Sequence, residues 1–180
     1  MTQQLPLATR RAAAVLRTLS LLAIAVLVGL AIWIAVDPGV LLAHRLPELG
    51  IDLGGRMISE TVTALLVIGA LFALTTVLYT LWHMARLFEC YAQDAALTPR
   101  AAHALRHVGF GFLAQAAAGL LAHPVETLLL TAGAPAGQKM LSFAVSSSDL
   151  GFVLAGGMMM IVGLVTSQAI ALRAENEGFV

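Results

Sequence analysis

Charge is what this chain has least of: only 11% of its 180 residues are Asp, Glu, Lys or Arg, against roughly a quarter in soluble domains, while 59% are hydrophobic. Ten basic and ten acidic side chains cancel, and the basic ones are dispersed, so no cationic stripe exists for DNA or RNA. Direct nucleic-acid binding is therefore not expected. A single cysteine, Cys90, excludes an intramolecular disulfide, a CxxC redox pair and a thiolate metal cage. No HExxH, no phosphate-binding glycine loop and no GxSxG elbow occurs, so no enzyme class and no cofactor is expected. Nor does one half of the chain repeat the other, and its length is short for a transporter built of two repeats.

What is present is four long runs free of charge: Thr18 to Val36, Thr61 to Trp82, Val108 to Val125 and Leu150 to Leu172. About twenty such residues cross the hydrocarbon core of a bilayer as helix. The reading is an all-α integral membrane four-helix bundle, one domain over residues 1–180, with spans at about 18–36, 61–82, 108–130 and 150–172. The first run is too long for a signal-peptide core, and its Ala23-Ile24-Ala25 lies inside it, so an uncleaved anchor is expected. Arg10, Arg11, Arg17, Arg86, Arg100, Arg106 and Arg173 flank one side of the spans, and Arg45, Arg56 and Lys139 the other, a split of seven against three. Basic residues are held inside during insertion, which predicts cytoplasmic N and C termini, an inner loop at 83–107 and outer loops at 37–60 and 131–149. The expected location is a bacterial inner membrane.

Local signals refine this plan. Pro38, Gly39, Pro47, Gly50, Gly54 and Gly55 bend the first outer loop, whose Val40, Leu41 and Leu42 are expected at the interface. In the second, Gly133 to Gly137 is turn-forming, and an extended or interfacial piece is expected after it. Thr98 caps a helix that begins at Pro99 and runs into the third span, with Arg100, His103, Arg106 and His107 as a basic strip facing lipid headgroups. Ser146 or Ser147 caps the fourth span, with Asp149 favourable in its first turn. Ala114, Ala118 and Ala122 on the third span and Gly156, Gly163 and Ser167 on the fourth suggest that these two helices touch, and Gly69 and Ala73 suggest a contact on the second. The Met158-Met159-Met160 run reads as flexible filling, because consecutive helical residues do not point at one ion.

The segment Leu87-Phe88-Glu89-Cys90-Tyr91-Ala92, then Leu97-Thr98-Pro99-Arg100-Ala101-Ala102 and Leu105-Arg106-His107-Val108-Gly109, resembles a family signature. So do Asp149-Leu150 and the ending Glu175, Glu177, Gly178, Phe179 and Val180. The chain is similar to the bacterial four-span membrane family known as domain of unknown function 2975, over roughly Trp82 to Val180. It departs from that pattern at Gln93-Asp94-Ala95-Ala96-Leu97, where members often carry a glycine and an aromatic residue. The family has no established activity. The resemblance implies an inner-membrane protein whose relatives are often encoded beside small helix-turn-helix regulators, which makes a cytoplasmic regulator of that kind a candidate partner.

Two groups of residues are candidates for function. Gln115, His123 and Glu126 are polar or ionisable within the third span, where such groups usually face a partner, a cavity or an ion route. His123 and Glu126 are three apart on one face, and Pro124 frees a backbone carbonyl between them. Against this stands the plainer reading that the span ends here and Glu126 pairs with His123 at the outer interface. Phe88, Glu89, Tyr91 and Thr98 form the candidate partner surface at the inner end, with anchoring at the membrane interface as the alternative. His83 and His107 lie at inner ends of adjacent spans, and His103 with His107 at i, i+4 has the spacing of a metal clip, but histidines in such places are commonly solvated, and no metal is expected. The functional expectation is a non-enzymatic membrane protein that senses or docks a cytoplasmic regulatory partner. The alternative is a small permease or ion-conducting homo-oligomer that uses Gln115, His123 and Glu126.

Overall fold

The computed structural model describes residues 6–49, 58–131 and 141–177. Five helices account for the ordered elements among them: α1 (Leu7–Val36), α2 (Pro38–Leu49), α3 (Glu60–Ala92), α4 (Pro99–Thr131) and α5 (Ser147–Glu177). All but α2 are long and apolar enough to cross a membrane, as a multi-pass membrane protein requires. Large apolar side chains such as Trp33, Phe72, Leu154 and Ile161 stand exposed around them, an arrangement suited to lipid and not to water. The runs Gly50 to Gly55 and Gly133 to Gly137, together with Arg56, Lys139 and Phe179-Val180, lie outside the described residues.

Six of the helix ends have an evident chemical cause. Pro38 drives the residue before it out of helical geometry, so Asp37 adopts φ −127° and ψ 86°, and α1 stops at Val36. The Asp37 carboxylate then accepts the Gly39 N–H at 3.0 Å and starts α2 in a new direction. The expected bend at Pro38 is thus a junction of two helices. Pro47, read as a loop residue, sits inside α2 on its exposed side. Ser59 caps α3 by accepting the Val62 N–H at 3.3 Å. At its other end Asp94 takes a left-handed φ of 61°, Ala95 N–H donates to Cys90 O at 2.8 Å, and Asp94 N–H donates to Tyr91 O at 3.3 Å. That is a Schellman closure with aspartate where glycine is usual. Thr98 accepts the Ala101 N–H at 3.3 Å, with Pro99 opening α4. Ser146 and Asp149 cap α5 reciprocally: the Asp149 N–H donates to Ser146 Oγ at 3.1 Å, and the Ser146 N–H to Asp149 Oδ2 at 2.8 Å.

α3 carries on past Trp82 to Ala92, so most of the segment read as an inner loop is helix, and only 93–98 link α3 to α4. Extensive contacts join α1 to α3, α3 to α4 and α4 to α5. The four long helices therefore stand in the order α1, α3, α4, α5, an open bundle in which first and last do not close a ring. α1 turns Ala13, Arg17, Ser20, Ile24, Leu27, Ala31 and Ile34 inward, a three-four alternation that gives a left-handed seam against α3. α4 and α5 approach at Gly109 and Gly156: a methyl on Gly109 would fall 2.7 Å from Gly156 O, and one on Gly156 2.8 Å from Gly109 O. A methyl on Gly163 would fall 3.1 Å from Arg106 N and 3.2 Å from Ala102 O, a slightly looser approach. The close backbone approaches on α4 are thus at Ala102 and Gly109, while Ala114, Ala118 and Ala122 are half-buried. Gly69 has no neighbour within 4 Å and makes no helix contact; the close approach of α3 to α4 is at Thr80 and Gly111.

The most closely packed region lies at the arginine-rich end. Leu87, Cys90, Ala101, Ala104 and Leu105 form a buried cluster, covered by Tyr91, Ala95 and Met159. Cys90 is the most deeply buried large side chain, which accounts for the lone cysteine as filling.

Candidate functional site

At the arginine-rich end, α1, α3 and α4 are laced together by charge. Arg17 pairs with Glu89 at 3.2 Å, Arg100 reaches the other oxygen of the same carboxylate at 3.4 Å, and Arg10 Nε donates to Ala92 O at 3.1 Å. One glutamate from α3 thereby holds a guanidinium from each flanking helix. This arrangement decides what the four expected partner-surface residues do. Glu89 is occupied by two arginines, Tyr91 packs on the buried cluster, Thr98 caps α4 while donating to Ala95 O at 2.8 Å, and Phe88 is half-buried. The large apolar side chain exposed at this turn is Leu97, at 69%. Beside it α1 and α5 face each other across a recess of about 260 Å³ walled by Thr9, Tyr91, Leu97, Leu105, Val162 and Thr166.

One turn further along the α3–α4 seam, four rings meet. Tyr79 OH is hydrogen-bonded to His107 Nδ1, and His107 Nε2 lies 3.0 Å from His103 Nε2. His83 stacks on His107 with centroids 4.6 Å apart and rings 14° from parallel, while Tyr79 leans on His83 at 4.5 Å. Spacing accounts for the arrangement: Tyr79 and His83 are i, i+4 on α3, His103 and His107 i, i+4 on α4, and the antiparallel seam brings the pairs level. Because His83 stacks parallel instead of converging, no three His, Cys, Asp or Glu side chains among the described residues surround one ion position. Arg86 lies over Trp82 at 5.3 Å, a cation–π contact at the same level.

Comparison with known proteins adds nothing to this geometry. No family model, curated protein or solved structure matches the chain.

The other expected site does not assemble. Gln115 Nε2 donates to Thr80 Oγ1 at 2.7 Å, and Thr80 passes its own proton to Thr76 O at 2.8 Å, a polar pin between α3 and α4. Glu126 lies three helical turns away and is bound not by His123 but by Arg45 of α2, at 2.8 Å. Thr127 Oγ1 donates to the His123 carbonyl at 3.0 Å and to the Pro124 carbonyl at 3.1 Å, back-bonding to its own helix. The three residues expected to act together thus serve three separate contacts. Arg45 also binds Glu48 at 2.9 Å, and His44 approaches the other Glu48 oxygen at 3.4 Å. Burial pulls the Arg45 pKa down, but hydrogen bonds to Glu126 and Glu48 and their charges outweigh it and leave it raised. The Glu48 carboxyl is held below its ordinary value, first by the Arg45 hydrogen bond and then by the His44 and Arg45 charges.

Sequence reasoning missed Tyr79, Arg45 and the Arg10–Arg17 clip. A signal for the first was available in the tyrosine-histidine i, i+4 pair. None existed for Arg45, whose partner is 81 residues away.

Proposed function

We propose that this chain is a non-enzymatic, multi-pass protein of a bacterial inner membrane, of the kind described as domain of unknown function 2975, and that it docks or senses a cytoplasmic regulatory partner at its arginine-rich end. Both termini face the cytoplasm in this reading, which puts the braced α3–α4 turn on the side where a helix-turn-helix regulator would approach. The observation that carries it is the contrast at that turn. Glu89, two arginines and the Cys90 cluster hold the helices there, while Leu97, on the wall of the recess, stays 69% exposed. An apolar side chain presented on a rigid support loses little freedom on binding, as a docking residue should. The permease alternative requires Gln115, His123 and Glu126 on one route. Gln115 is taken up by Thr80 and Glu126 by Arg45, so the docking reading is the one we adopt.

The test is affinity capture of the tagged full chain from its native membrane after cross-linking. A stoichiometric cytoplasmic protein is expected with the unaltered chain and is expected to vanish with Leu97→Glu at unchanged membrane levels. Recovery of only homo-oligomers, or of a partner indifferent to Leu97→Glu, overturns the proposal.

A further inference from the structure

The histidine pair on α4 is more than a basic strip at the membrane surface. We propose that His103 and His107 bind one divalent transition-metal ion, with Tyr79 as the residue that positions the inner ligand. The two Nε2 atoms are 3.0 Å apart. Two nitrogens each about 2.0–2.1 Å from a shared ion sit roughly 3 Å from one another at the bond angles of zinc and its neighbours. The nitrogens therefore already hold the separation that chelation needs, and no backbone movement is required. Tyr79 supplies what isolated i, i+4 histidines lack. Its hydroxyl, from α3, engages His107 Nδ1, the arrangement that fixes ring orientation and leaves Nε2 with its lone pair for a metal. His83 stacked on the far face of His107 stops that ring from tilting away.

Space and donors are also present. A recess of about 280 Å³ opens beside the pair, bounded by Tyr79, Arg106, Phe110 and Met160, wide enough for water to complete the coordination shell. With His107 protonated at Nδ1 toward Tyr79, the proton shared by the two Nε2 atoms in the absence of metal belongs to His103. On binding, that proton passes through solvent to His103 Nδ1, so both rings stay neutral and no redox change is involved. The charged and titratable groups facing the pair are Tyr79 and His83 from α3 and Arg106 from α4, with Arg86 further off beside His83. Arg106 opposes a dication, so the ion is held weakly and favours an anionic water-derived or headgroup ligand beside it.

The test uses the full chain, purified in detergent with a tag free of histidine, and Zn²⁺ as the probe in titration calorimetry. About one Zn²⁺ per chain is expected near neutral pH, and none after addition of excess chelator. His103→Gln and His107→Gln are each expected to abolish binding, and Tyr79→Phe to weaken it roughly ten- to a hundredfold. His103 is exposed, so its substitution leaves the helix seam in place and keeps the result interpretable. His44→Gln is expected to change nothing. Absence of saturable zinc binding in the folded chain, or binding that survives His103→Gln, overturns the proposal, as does loss on His44→Gln, which would move the site to the His44–Glu48 pair.

Discussion

Glu126 shows how a single residue is misjudged when only its own helix is considered. Its nearest ionisable neighbour in sequence is His123, but its partner is Arg45, and its second oxygen is buried without a hydrogen bond. A half-satisfied carboxylate depends strongly on the one contact it has. Arg45→Ala is expected to destabilise the protein by about 1–2 kcal/mol, discounted for the partial exposure of the guanidinium, and adding Glu126→Gln should recover part of that loss. Unfolding in mixed detergent micelles measures both. pH gives an independent check. Glu48 has a lowered pKa in the folded chain, so its contribution is complete above its unfolded value of about 4.3 and disappears as pH falls through the lower folded one. Protection of the α2 amides, taken relative to their intrinsic exchange rates, is therefore expected to be flat from neutral down to about pH 5 and to fall only in stronger acid.

At the scale of elements, lipid removes the hydrophobic reason for helices to associate and leaves close van der Waals contact and interhelical hydrogen bonds. The α4–α5 seam follows from this, since its backbones approach where Gly109 faces Gly156 and Ala102 faces Gly163. A methyl on Gly109 would meet backbone atoms at 2.7 and 2.8 Å, and backbone cannot step aside. Gly109→Ala is expected to lower stability by about 1–3 kcal/mol, whereas Gly69→Ala, which meets nothing within 4 Å, is expected to be neutral or up to about 1 kcal/mol more stable. Thermal denaturation of the two variants side by side decides it. That α4 and α5 touch was legible from their small residues. Which residues of α4 make the contact was not, because alanines recur on every face of that helix and only the crossing geometry selects among them.

For the whole molecule, the helix order is what matters. Contacts run along α1, α3, α4 and α5, with polar pins at Glu89 and at Thr80–Gln115, and α1 and α5 are left on opposite flanks of a recess. In a Cys90→Ala background, Thr80→Cys with Gln115→Cys is expected to form a disulfide within one chain, while Leu27→Cys with Gly157→Cys is expected to form none. Non-reducing electrophoresis after mild oxidation distinguishes the two, and an intrachain bond in the second pair would mean a closed bundle. The open order also explains why the arginine-rich end is so heavily laced. A row of helices lacks the mutual enclosure of a ring and holds its register through Arg17, Glu89 and Arg100 instead.

Sequence by itself determined the four apolar helices and much of their punctuation. A membrane helix satisfies its hydrogen bonds within its own segment, and Thr98-Pro99 and Ser146 to Asp149 act on the turns they begin. These are local effects, so they are written locally. The length of α3 was harder to see, because Arg86 and Glu89 ended the apolar run but not the helix, which continues on packing against α4. Tertiary structure alone decided where the polar side chains went: Glu126 to Arg45, Gln115 to Thr80, Glu89 to two arginines, and Tyr79 with three histidines to one cluster. Each of those partnerships depends on which faces of two helices meet and at what register, a property of shape complementarity summed over many residues that no single spacing in the chain records.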